Sequence, residues 1–200
     1  MVASLNRAKA REVARILREE RLGFEVVSLD EFAAVSMPAE DGATFSANAL
    51  AKAKHAARAT WLAAIADDSG LEVAALGGEP GVMSARYAGE DASDEDRCRK
   101  LLELMEDVPD DQRGARFRCA VAYATPEGEL LFAEGKCEGR IAREPAGCGG
   151  FGYDPIFVPG GHARTMAELT SAEKDAISHR GRALRLLASL IKERWATRAS

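Results

Sequence analysis

The run Ala115-Arg116-Phe117-Arg118-Cys119-Ala120-Val121-Ala122-Tyr123, followed by the turn Pro126-Glu127-Gly128, decides the fold class. Phe117, Cys119, Val121 and Tyr123 recur at every second position, the period of a strand, and the Pro and Gly turn the chain into a second strand. Upstream of this hairpin, helical and extended patterns alternate. Val13, Ile16 and Leu17 fall at helical spacing and predict a first helix from Arg7 to Glu20, stopped before Gly23. Phe24 to Leu29 reads as a strand, and Phe45 to Thr60 as an Ala-rich helix with Lys52 and Lys54 on its solvent side. Trp61 to Ala66 reads as a short buried strand, and Gly70 to Gly89 as turns around a short element near Leu71 to Leu76.

Ser93 and Asp96 form an acidic variant of a capping box for a helix that turns Cys98, Leu101, Leu102 and Met105 inward and ends near Val108. Downstream of the hairpin, Thr170 and Glu173 cap a further helix, and Leu184, Leu187 and Ile191 give the apolar face of another from Ala183 to Trp195. An alternating first half with a hairpin in the second predicts an α/β, mixed α+β class: a sheet covered by helices.

Two hundred residues, 46% apolar and 30% charged, suit one globular unit. The net charge of −5 gives no general attraction to a polyanion, so long nucleic acid is not expected as a partner and phosphate recognition must be local. Met1 to Arg21 lacks the continuous apolar core of a signal peptide, and no stretch is long enough to span a membrane, so a cytoplasmic protein is expected. Cys98, Cys119, Cys137 and Cys148 contain no C-x-x-C pair, and His55, His162 and His179 are dispersed. Zinc signatures are thereby excluded, and any metal should be a hard cation on carboxylates.

Four polar clusters stand out. Ser4-Leu5-Asn6-Arg7-Ala8-Lys9 lies at the start of the first helix, where free N–H groups and the helix dipole attract phosphate; an N-cap with a solvated lysine is the plainer reading. Asp67-Asp68-Ser69-Gly70 places two acids after an apolar strand and before a glycine turn, a pair suited to holding Mg²⁺ or taking a proton from water. Gly147-Cys148-Gly149-Gly150-Phe151-Gly152-Tyr153-Asp154 combines a close-approach backbone with two aromatics that offer stacking faces to a flat base. Lys174 with Ser178-His179-Arg180-Gly181 gathers donors between the last two helices, and Glu40 adds a loop carboxylate.

In this order the segments resemble the inosine/xanthosine triphosphate pyrophosphatase family, the ITPases that sanitise the nucleotide pool. The resemblance spans almost the whole chain and rests on Ala66 to Val73, Gly77 through Ser84-Ala85-Arg86-Tyr87-Ala88-Gly89, Gly149 to Asp154, and Ser178 to Gly181. It implies a single domain over residues 1–200, whose two lobes share a long mixed sheet around a substrate cleft. It also implies a homodimer and Mg²⁺-dependent hydrolysis of ITP, dITP and XTP to monophosphate and pyrophosphate.

By the same match Ser4, Asn6 and Lys9 hold the triphosphate, Glu40 and Asp68 bind Mg²⁺, and Asp68 also orients or deprotonates the attacking water with Asp67 in support. Ser69 touches the substrate, Phe151, Gly152, Tyr153 and Asp154 form the base platform, and Lys174, His179 and Arg180 face the base and neighbouring phosphates. Hypoxanthine and xanthine carry a C6 carbonyl that accepts a hydrogen bond, whereas adenine offers a donor there, so a site built of donors rejects ATP. Leu5, Ala47 and Met83 stand where the family pattern has glycine, glutamate and an aromatic. A non-catalytic nucleotide-binding module is the rival from another class, and it would not need Glu40, Asp67 and Asp68 together.

Overall fold

The structure is a computed structural model and describes residues 1–32 and 35–199. Its element order is α1 (Arg7–Glu19), α2 (Phe45–Thr60), β1 (Ala64–Val73), α3 (Asp94–Leu104), β2 (Gly114–Ala124), β3 (Leu130–Ile141), β4 (Phe157–Pro159), α4 (Ser171–Ile177) and α5 (His179–Ala199). The four strands form one sheet in the order β1-β2-β3-β4, with β4 antiparallel to β3. Val2 adds parallel bridges to Ser28 and Ile65, which makes the pairing mixed, as expected.

The chain divides into two compact units, one of residues 1–68, 119–135 and 179–200, the other of residues 69–118 and 136–178. In the first unit Val13, Ile16 and Leu17 of α1 and Ala183, Leu184, Leu187 and Ile191 of α5 pack with Ile65, Cys119, Val121 and Tyr123 in one apolar core. Alternation along β1 turns Ala64, Ala66 and Asp68 to the opposite face from Ile65 and Asp67. Asp68 meets α2, whose Ala49, Ala53 and Ala56 are fully buried; small side chains let that helix approach closely. The core of the second unit gathers Leu71, Val73, Leu101, Met105, Phe117, Ile141, Ile156 and Phe157, and the rings of Phe117 and Phe157 meet edge to face at 4.7 Å.

Several expectations need correction. Phe24 to Leu29 is not a strand: the segment makes a single bridge at Ser28, with Val27 O accepting from Val2 N–H at 2.8 Å. Trp61 is not strand either; it ends α2 in the left-handed conformation, largely exposed, and β1 begins at Ala64. No glycine turn follows the two acids, because β1 runs on through Gly70 to Val73, and a short 3-10 turn occupies Ala74–Leu76. Lys52 is buried rather than solvent-facing, while Lys54 is exposed. α3 keeps its Ser93–Asp96 capping box but stops at Leu104, where Arg113 donates to the carbonyls of Met105 and Val108 and satisfies them in place of another helical turn. α5 starts at His179 instead of Ala183, with Ser178 as the extended residue between helices. The first turn of α5, His179-Arg180-Gly181, has no apolar side chain to announce it.

Candidate active site

In the first unit the two acids of β1 face opposite ways and acquire opposite electrostatics. Asp67 lies on the α1 and α5 side. Arg180 Nε donates to its Oδ2 at 3.1 Å, and Lys9 Nζ stands 3.9 Å from the same oxygen. Arg180 also donates through Nη1 to Glu12 Oε2 at 2.6 Å, so a guanidinium on α5 joins a carboxylate on α1 to one on β1. Burial pushes the Asp67 carboxyl up, but Lys9, Arg180 and Lys52 outweigh it and hold the group well below the usual carboxylate range. Burial works against the charge on Arg180 too, and Asp67 and Glu12 more than compensate.

Asp68 lies on the α2 side. Asn48 Nδ2 donates to its Oδ2 at 2.9 Å, and Lys52 Nζ stands 3.6 Å from its Oδ1 and pairs closely with Glu40. Burial, joined by the nearby Glu40 charge, raises the Asp68 carboxyl by more than Lys52, Lys9 and the Asn48 bond lower it. Lys52 shows the converse: burial opposes its charge, yet Asp67, Asp68 and Glu40 keep its ammonium more firmly protonated than usual. A carboxylate held fully ionised and a neighbour drawn toward protonation are the environment split that separates supporting from proton-transferring acids.

At the start of α1, Asn6 is the N-cap; its Oδ1 accepts from the N–H groups of Ala8 and Lys9 at 3.0 and 3.1 Å. Ser4 Oγ donates to Asn6 O at 3.4 Å. His179 is buried in the first turn of α5.

In the second unit, Gly150 takes φ +72°, and a Cβ there would overlap the Asp154 carboxylate, so the turn needs glycine on both counts. Asp154 Oδ2 accepts from Phe151 N–H at 2.8 Å and Lys174 Nζ at 2.6 Å, and the same ammonium sits 4.6 Å from the centre of the Phe151 ring. Gly152 N–H donates to Asp94 Oδ2 at 2.7 Å. Tyr153 does not offer a stacking face: it is 3% exposed, packs in the core and donates its hydroxyl to Ser84 O at 2.9 Å. Phe151 remains half-buried, and so does Ser69, inside β1.

The structure thus brings Lys9, Asp67 and Arg180 together, joins Glu40 and Asp68 through Lys52, and joins Phe151, Asp154 and Lys174. Glu12, Asn48 and Lys52 were missing from the sequence-derived set. A signal for them existed: Asn48 and Lys52 are one turn apart and share the buried stripe of Phe45, Ala49, Ala53 and Ala56, as Glu12 shares that of Val13 and Ile16. A polar residue on an apolar stripe must find a partner inside.

Among the described residues no three His, Cys, Asp or Glu side chains converge to hold a metal ion by themselves. Magnesium does not require that many, since it is usually held by one or two carboxylates with substrate phosphates and water completing its shell. Glu40 and Asp68 fit this requirement, because both approach a single cationic centre, the Lys52 ammonium.

A model of the Ham1 family matches residues 1–190. The chain is 50% identical to the dITP/XTP pyrophosphatase of Shigella flexneri over 96% of its own length and 97% of that protein's. It is 54% identical to the dITP/XTP pyrophosphatase of Mycolicibacterium paratuberculosis over 94% and 92%. The solved HAM1 protein of Coxiella burnetii superimposes with a TM-score of 0.85 at 47% identity, covering 96% of this chain and 97% of the other. A dITP/XTP pyrophosphatase structure from Mycobacterium abscessus gives 0.73 at 52% identity, covering 93% and 96%. With a family match along nearly all its length and relatives half identical to it, the chain belongs to the Ham1 family.

Proposed function

We propose that this protein is a hydrolase of deaminated purine nucleoside triphosphates, ITP, dITP and XTP, which it cleaves with water to the nucleoside monophosphate and pyrophosphate. The names of its half-identical relatives support the reaction class. The observation that carries the assignment to residues is the split of Asp67 and Asp68 to opposite faces of β1, one neutralised by Arg180 and Lys9, the other poised near Lys52 and Glu40.

Asp68 accepts the proton of the attacking water, a role suited to a carboxyl whose proton affinity is raised by burial. Asp67 keeps Lys9 and Arg180 in place and retains a fixed negative charge. Ser4, Asn6 and Lys9 serve the triphosphate, with the Lys9 ammonium and the positive end of the α1 dipole offsetting its charge. Glu40 and Asp68 would hold Mg²⁺, which when bound supplies charge neutralisation to the pyrophosphate leaving group. Ser69, Phe151, Gly152, Tyr153, Asp154 and Lys174 are assigned to the nucleoside, with the Phe151 ring as stacking face and Tyr153 contributing through its backbone. His179 donates toward the base, while Arg180, engaged by Asp67 and Glu12, acts through Asp67. The family resemblance also supports a homodimer working in the cytoplasm; no helix among the described residues is long and apolar enough to cross a membrane.

The test is incubation of the purified protein with ITP, XTP, dITP, GTP and ATP plus Mg²⁺, reading pyrophosphate and orthophosphate separately, with Asp68→Asn and EDTA as controls. Pyrophosphate from ITP and XTP that disappears in both controls is the expected result. Orthophosphate alone, or no turnover, overturns the reading.

A further inference from the structure

We propose that Asn48 is a positioning residue that sets how Asp68 and the loop bearing Glu40 present their carboxylates to a divalent cation. The inference rests on the metal role proposed above for these two acids. Asn48 lies in the first turn of α2 and is 4% exposed. Its Oδ1 accepts from Gly42 N–H at 2.9 Å and its Nδ2 donates to Asp68 Oδ2 at 2.9 Å. The first bond dictates the second: a backbone N–H can only donate, so Oδ1 must face Gly42 and the amide must turn its N–H toward Asp68.

One side chain therefore ties two elements that carry acids. Gly42 stands two residues after Glu40, and Asp68 is on β1. The oxygens of Asp68 are divided by this contact, Oδ2 toward Asn48 and Oδ1 toward Lys52 at 3.6 Å, so the carboxylate cannot rotate without losing a bond. The close approach is reinforced from the loop side. A Cβ on residue 42 would overlap Asn48 Oδ1, so an alanine there must displace the amide. An amide on a helix face otherwise lined with Ala49, Ala53 and Ala56 costs stability unless both of its bonds are made, and here both serve the acid cluster.

Side chains that orient metal-holding carboxylates change metal affinity or activity about 10–100-fold when removed. The test titrates substrate-free protein with Mn²⁺, reading free Mn²⁺ by electron paramagnetic resonance. The Mg²⁺ midpoint of ITP hydrolysis and the thermal midpoint are measured alongside. Asn48→Ala, Asn48→Leu, which keeps the volume, and Gly42→Ala, which keeps the amide but displaces it, are compared with wild type. A loss of Mn²⁺ affinity of about 10–100-fold in each, matched by a higher Mg²⁺ midpoint, is expected. Wild-type Mn²⁺ affinity in the variants, with only the thermal midpoint lowered, means a structural role and overturns the proposal, as does a wild type that takes up no Mn²⁺. A wild type whose Mn²⁺ affinity depends on Asn48 yet which hydrolyses no ITP removes the proposed function and leaves the positioning role standing.

Discussion

Arg180 Nε lies 3.1 Å from Asp67 Oδ2 across 113 residues of sequence, and both side chains are almost wholly removed from water. The same guanidinium holds Glu12, so two buried carboxylates share one cation. Breaking such an arrangement from one side leaves uncompensated buried charge and costs about 3–5 kcal/mol. Arg180→Met should therefore lower the unfolding free energy in urea by about that much. Arg180→Lys should recover only part of it, since an ammonium cannot match the planar fork of a guanidinium. A loss below about 1 kcal/mol, the level of exposed pairs, would contradict this account.

Acid and base sides of the stability curve should separate the two aspartates. Asp67 is depressed below the ordinary 3.8, so its contribution is fully present above that value and is lost as pH falls below it. Asp68 is raised above 3.8, so its contribution is present below that value and is lost as pH rises through its elevated one; at neutral pH its ionised form burdens the metal-free fold. In EDTA at pH 7, Asp67→Asn should lower the thermal midpoint and flatten the acid limb, whereas Asp68→Asn should not lower it. The same Asp68→Asn change should reduce ITP turnover by about 10²-fold or more. Equal destabilisation by the two variants would sink this distinction.

Tyr153 and Lys174 should behave differently although both border the glycine turn. Tyr153→Phe deletes the bond to Ser84 O and should cost about 1 kcal/mol of stability while leaving kcat/KM for ITP unchanged. Lys174→Met removes the ammonium paired with Asp154 and held over Phe151, and should raise KM for ITP about tenfold, equivalent to 1.4 kcal/mol. Steady-state kinetics on both proteins settles the matter, and a large KM effect from Tyr153→Phe would contradict the purely structural role of its hydroxyl.

Thiol chemistry offers a check that does not depend on function. Cys148 is exposed, whereas Cys98, Cys119 and Cys137 are buried. Burial pushes the Cys98 thiol up to about 12 and raises Cys119 as well, so neither forms thiolate readily near neutral pH. Native protein treated with iodoacetamide at pH 8 should gain a single adduct, located at Cys148 by peptide mapping. Rapid addition of a second would mean that the buried thiols are open to solvent.

The amino-acid sequence determined the elements and the residue types of the chemistry. Strand alternation from Ala115 to Tyr123, the capping boxes at Ser93 and Thr170, and the span of α2 from Phe45 to Thr60 are local patterns, and local patterns report local structure. Asp67, Asp68, Glu40 and Lys174 were likewise visible as unusual polar clusters. Tertiary structure alone decided that β1 continues through both acids, since a strand with apolar partners on each face overrides the turn tendency of Asp-Asp-Ser-Gly. It also decided that Lys52 and Asn48 turn inward, that Tyr153 is core, and that Arg180 binds carboxylates. Each of these depends on partners 12 to 113 residues away. A buried charge or amide is stable only where such a partner meets it, and that meeting is a property of the folded chain rather than of any segment within it.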